Sequence, residues 1–140
     1  MIGGRHSRQT HTHGHLPRLL PLVGLLVWAV AMAYLSLVPA STIPSTLPSW
    51  DKLNHFAGYA VLALLVLWTL TAWHALSIPL LTGAWIACNI YGLLLEILQK
   101  LMSSGRQFDG GDLLANALGA LTTCVLFRHI NERSFPQHDR

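Results

Sequence analysis

Three short stretches of this sequence carry residues able to do chemistry. The first, Gly105–Ala120, opens rich in glycine, carries Arg106, Asp109, Asp112 and Asn116, and runs straight into an apolar segment. The second sets Asp51, Lys52 and His55 at the head of another apolar run, flanked by Asn54 and Tyr59. The third places Asn89, Gly92, Glu96 and Gln99 inside a further one. On an α-helix, residues three and four apart share a face. Asp51, His55 and Gly58 then form one stripe, and Asn89, Gly92, Glu96 and Gln99 a second. Asp112, Asn116, Gly119 and Thr123 form a third. His55 and Asn116 each lie one turn, ~6 Å, below the acid that opens their helix, and Glu96 lies one turn inside the end of its own. The three are expected at one level.

Several chemistries fit such a set. A histidine beside carboxylates can act as general acid or base, with His55, Glu96 and Asp112 as the candidate catalytic groups. His55 with Glu96, Asp109 and Asp112 could instead hold a divalent ion. No HExxH or clustered Cys/His spacing supports that, so neither a metal nor a cofactor is expected. Arg106 and Lys52 could meet phosphate or carboxylate while the acids take hydroxyls or amines, which makes a binding cleft. There is no Gly-x-Ser-x-Gly elbow, P-loop or dinucleotide fingerprint. The competing structural reading is a buried hydrogen-bond cluster that only fixes helix packing, at ~1 kcal/mol per contact. Asn89 and Thr123, taken singly, are expected to be packing groups of this kind. Four acids, a histidine and an arginine gathered together exceed what packing requires.

The elements that position these residues follow from composition. The 140 residues are 52% hydrophobic and only 11% charged, with a mean hydropathy of +0.45. Soluble domains carry about 25% charged residues, so this chain lacks the groups to wet a globular surface. It reads as an integral membrane protein. The net charge of +3 is scattered over termini and loops, without the basic stripe that nucleic acid would need. Cys88 and Cys124 lie in apolar runs and read as small buried hydrophobes rather than a disulfide.

In chain order, residues 1–18 are a polar, His-rich tail, read as solvated rather than metal-binding. Leu19 to Val38 carry no charge and are long enough to cross a ~30 Å hydrocarbon core. Cleaved signals have shorter apolar cores, so this run is expected to be a retained first span. Further helices are expected at about 51–73, 78–102 and 112–130, with Trp50 at the interface, Asp51 favourable in a first turn, and Pro79 harmless in another. A polar tail covers 131–140. Four spans put both termini on one side with Arg5, Arg8, Arg18, Arg128, Arg133 and Arg140. The other side has Lys52, Lys100 and Arg106. Positive charge concentrates on the cytoplasmic side, so both termini are expected inside the cell and the polar stripes near the outer face.

Three blocks resemble the VanZ-like membrane proteins. Asp51-Lys52-Leu53-Asn54-His55-Phe56-Ala57-Gly58-Tyr59 is similar to that family's DK-x-x-H-F-x-x-Y opening of the second helix. Tyr91-Gly92-Leu93-Leu94-Leu95-Glu96-Ile97-Leu98-Gln99 is similar to its G-x-x-x-E-x-x-Q close of the third. Gly105 to Ala120 is similar to its G-R-x-F-D-x-x-D-x-x-x-N-x-x-G block. Tyr34-Leu35-Ser36-Leu37-Val38-Pro39 also resembles the end of its first helix. The resemblance covers roughly 19–128 and carries over Asp51, Lys52, His55, Tyr59, Glu96, Gln99, Arg106, Asp109, Asp112 and Asn116. Gly110-Gly111 departs from the bulkier residues common there, and the His-rich tail has no counterpart. The family takes its name from a protein associated with low-level resistance to the glycopeptide teicoplanin.

The expectation is an all-α, integral membrane four-helix bundle, N-in/C-in, with a polar site near the outer face. It comprises a 1–18 tail, a 19–130 membrane domain and a 131–140 tail, in the bacterial inner membrane. The resemblance implies action at the cell envelope, by binding or modifying a lipid-linked or cell-wall component and affecting glycopeptide susceptibility. Binding falls to Asp51, Lys52, Tyr59, Gln99, Arg106, Asp109 and Asn116. Two alternatives stand beside it: a membrane-embedded hydrolase or transferase using His55 with Glu96 or Asp112, and a non-catalytic assembly partner. The expected partners are the lipid bilayer and a lipid-linked component or glycopeptide, not nucleic acid.

Overall fold

The computed structural model describes residues 16–38, 48–102 and 109–134, with no strand among them. Four helices follow one another: α1 (Leu16–Leu37), α2 (Pro48–Thr71), α3 (Ile78–Leu101) and α4 (Gly110–Ser134). They hold 22, 24, 24 and 25 residues. At 1.5 Å per residue that is ~33–38 Å each, enough to cross a ~30 Å apolar core. All four are long and apolar enough to span a membrane.

Helix ends differ from the sequence expectation by a few residues, for identifiable reasons. α2 begins at Pro48 rather than Asp51, because proline suits a first turn, where its missing N–H has no partner to lose. α4 begins at Gly110 rather than Asp112 and continues to Ser134. Asp109 caps it, its Oδ1 accepting from the Gly111 backbone N–H at 2.7 Å. α3 is capped by Ser77, whose hydroxyl accepts from Leu80 N–H at 3.4 Å.

The buried positions of α3 are Leu81, Ala84, Cys88, Gly92, Leu95, Glu96 and Gln99, a stripe at helical spacing. Small residues dominate the contacts: Ala63, Ala84, Cys88 and Ala120 are nearly or fully buried. In lipid there is no hydrophobic gain from helix association, so close packing of small residues takes over. Gly119 shows it most directly. A Cβ there would run into the Phe56 carbonyl of α2, so α2 and α4 form the tightest pair. Both cysteines are free and buried.

Several of the hydrogen bonds that join the helices run from a side chain to a backbone carbonyl. The Trp28 indole donates to Gly58 O at 3.0 Å, Tyr91 Oη to Ala29 O at 2.6 Å, Trp85 to Ala117 O at 3.0 Å, and Thr123 to Ala60 O at 3.0 Å. Thr123 is therefore a packing group. Asn89 instead donates to Trp85 O within its own helix, at 2.8 Å.

The outward faces are apolar. Leu20, Val30, Ile90, Leu114 and Val125 are all more than half exposed. Such a surface is untenable in water and natural in a bilayer. α1 is the peripheral helix: 6% of its span is buried against 22–28% in the others. At its start Arg18 lies over the Trp73 ring, 5.4 Å from the centroid, at the end of the bundle opposite Asp51 and Asp112.

Candidate functional site

The opening turns of α2 and α4 and the closing turns of α1 and α3 meet at one end of the bundle. His55 on α2 and Asn116 on α4 face each other there, with Nδ1 3.1 Å from Oδ1. An amide oxygen accepts, so this Nδ1 carries the hydrogen. The opposite ring nitrogen, Nε2, then faces Asp112 Oδ2 at 3.7 Å. Lys52, one turn earlier on α2, reaches Asp112 Oδ1 at 3.3 Å and Asp109 Oδ2 at 2.6 Å. Asp112 and Asn116 are buried, whereas Lys52 and Asp109 are roughly half exposed.

Burial follows from helix pitch. Asp112 and Asn116 are four apart, as are Asp51 and His55, so each pair projects inward from one helix face. The close α2–α4 approach at Gly119 brings the two faces together. Gly92 does the equivalent on α3. A Cβ there would sit 2.9 Å from both Asn116 Nδ2 and Tyr59 Oη, so the glycine makes room for those side chains. One turn on, Glu96 is buried, within electrostatic reach of His55, Asp112 and Asp109.

Some candidates have other occupations. Both Asp109 oxygens are engaged inside the protein, by Lys52 and by the Gly111 N–H. Those two donors, Lys52 first, hold the Asp109 carboxyl below the usual carboxylate value. Gln99 donates to Ser36 O on α1 at 2.7 Å, which ties α3 to α1 at this end. Arg106 lies outside the described residues.

Asp51, His55 and Asp112 each offer one metal-ligand atom, all within 4.8 Å of one another. The set differs from the one the sequence suggested: Asp51 joins, while Glu96 and Asp109 stand apart. Metal–ligand bonds of about 2.0–2.2 Å would need these atoms to draw slightly together. The Lys52 ammonium already meets one edge of Asp112. The arrangement gathers an imidazole nitrogen, a buried carboxylate and an ammonium, groups able to pass a proton or to hold a polar ligand.

Asp51 and His55 also line the mouth of a cavity of about 510 Å³ between α1 and α2, within the range of small-molecule sites (~300–1,000 Å³). Motif spacing on α2, α3 and α4 did not reveal this cavity. Five of its twelve lining residues come from α1 (Trp28, Ala31, Met32, Leu35 and Ser36), which carry no polar signal beyond one indole and one hydroxyl.

No curated protein and no solved structure matches the chain. A family model described as VanZ/LLP1 matches residues 4–131, starting well before the motif blocks and taking in most of the His-rich tail. With the match spanning nearly the whole chain and all four membrane-length helices, the chain belongs to the VanZ/LLP1 family.

Proposed function

We propose that this protein acts at the bacterial cell envelope, in the inner membrane, by binding or modifying a lipid-linked or cell-wall component. Its action alters susceptibility to glycopeptides such as teicoplanin. The observation that carries this reading is His55, held by Asn116 at 3.1 Å and turned toward a buried Asp112 that Lys52 also reaches. Ionisable groups at the membrane level of a helix bundle are costly and are kept for function. The distribution of basic residues supports an orientation with both termini in the cytoplasm and this end facing outward. Reporter fusions at residues 45 and 105 test it, and cytoplasmic signal at either would reverse the orientation.

Conservative replacements test the site itself. Glu96→Gln, His55→Gln and Asp112→Asn are expected to abolish the effect on glycopeptide susceptibility while the proteins still accumulate in membranes. If all three behave like the parent, the cluster is packing glue and the protein an assembly partner.

One geometric feature favours a second reading, a membrane-embedded hydrolase or transferase. The Nε2 of His55 faces the Asp112 carboxylate across 3.7 Å, the layout of a base with an acidic neighbour. Turnover of envelope lipids by purified protein, lost in His55→Gln, separates catalysis from binding.

A further inference from the structure

The cavity between α1 and α2 changes character along its length. Its mouth is polar, formed by Asp51, Asn54, His55 and Ser36. Its inner end is apolar, formed by Met32, Val61 and Trp28. The one polar atom at that inner end, the Trp28 indole N–H, is already given to Gly58 O at 3.0 Å. Tyr59 also lines the cavity, but its hydroxyl is turned toward α3, at Gly92. Nothing deep in the cavity asks for a polar ligand.

Length and placement narrow the occupant. From Asp51 to Val61 is ten residue steps, ~15 Å along the helix. That is half of a ~30 Å hydrocarbon core, so the groove runs from the interface to the midplane, the reach of a lipid tail in a single leaflet. Ala31, Ala57 and Gly58 supply the space by being small. Because α1 is the least buried helix, the groove's wall on that side stands in lipid.

The mouth narrows the head group. Among the described residues, four acids at this end (Asp51, Glu96, Asp109, Asp112) outnumber two bases (Lys52, Lys100). Asp109 and Asp112 pair with Lys52, whereas Asp51 enters no ion pair among the described residues and lines the groove. A carboxylate so placed suits a cationic amine, and the Asn54 amide offers donors for an adjoining phosphate.

We propose that the groove holds one tail of an amine-headed glycerophospholipid, with the amine on Asp51 beside His55. The lipid enters sideways from the bilayer. This deepens the functional reading above, since it rests on the His55 cluster being a binding site and names the class of molecule that reaches it.

The test is native mass spectrometry of the full chain released from mixed micelles. These contain equal amounts of ethanolamine-headed and glycerol-headed phospholipid with identical acyl chains. The parent is expected to retain one lipid and to prefer the ethanolamine head by roughly tenfold, the worth of one charge-assisted hydrogen bond. Asp51→Asn should keep the lipid and lose the preference. Ala57→Phe, which fills the groove, should lose retention of either lipid, and Ala31→Leu repeats the test from α1 should the first variant fail to fold. Equal retention of both head groups by the parent, or undiminished retention in a folded groove-filled variant, would mean annular lipid only and overturn the proposal. The cluster reading is judged separately: His55→Gln can lose the susceptibility effect whether or not the parent retains lipid.

Discussion

His55 and Asn116, sixty-one residues apart in sequence, share a 3.1 Å hydrogen bond that joins α2 to α4 and fixes which imidazole nitrogen faces Asp112. Removing the acceptor leaves a ring N–H without a partner in a nearly closed site. Asn116→Ala is expected to lower stability by about 1–3 kcal/mol and to abolish function. Asn116→Asp, which keeps an acceptor, should retain more thermal stability. Melting curves in detergent, read beside glycopeptide susceptibility, check both.

The Lys52–Asp109 pair predicts a particular acid response. The Asp109 carboxyl is held below its usual value by Lys52 and then by the Gly111 N–H. A depressed folded value means that the pair's contribution is present at and above the ordinary carboxylate range, and is lost as pH falls through the lowered value. Asp109→Asn should therefore melt below the parent at neutral pH, and the gap should close under strongly acid conditions. A gap that persists at low pH would remove the ion pair as its cause.

Two glycines make a matched comparison. A Cβ at Gly119 would collide with the Phe56 backbone, which cannot yield as a flexible side chain could. Gly119→Ala is expected to cost about 1–3 kcal/mol by overpacking. At Gly83, inside α3, a Cβ meets nothing within 4 Å. Gly83→Ala should be neutral or stabilising by up to about 1 kcal/mol, because alanine is the better helix former. Equal effects at the two positions would contradict the close α2–α4 approach.

Tyr91→Phe removes one hydrogen bond, Oη to Ala29 O at 2.6 Å, and little else. The carbonyl keeps its helical partner, so nothing is orphaned. The expected loss is about 0.5–1 kcal/mol in thermal unfolding, typical of interhelical bonds in membranes. A loss several times larger would show that this bond is what keeps the peripheral α1 in place.

Much of this was legible in the sequence because the chain is so apolar. Against runs of Leu, Val and Ala, every charge stands out, and helical spacing alone put Asp51 with His55 and Asp112 with Asn116. The common level of His55 and Asn116 followed from counting turns. Less legible was anything set by local geometry. Gly110-Gly111 read as loop, whereas the Asp109 side chain caps them into α4. Asn89 had the same spacing as Glu96 yet turns back on its own helix. The groove along α1 arises from small side chains on two different helices, Ala31 on α1 and Ala57 and Gly58 on α2, a property that no single stretch displays.

The hydrogen bonds that run from a side chain on one helix to the main chain of another have a consequence for how this sequence can drift. Their donors are particular side chains: Trp28, Trp85, Tyr91, Gln99 and Thr123. Their acceptors are main-chain oxygens at Gly58, Ala117, Ala29, Ser36 and Ala60, which any residue would supply. Each joint is thus constrained in identity on one helix and only in size on the other. Homologues should hold the donor while the acceptor position wanders among small residues, so correlated substitution will be faint at the very contacts that assemble the bundle.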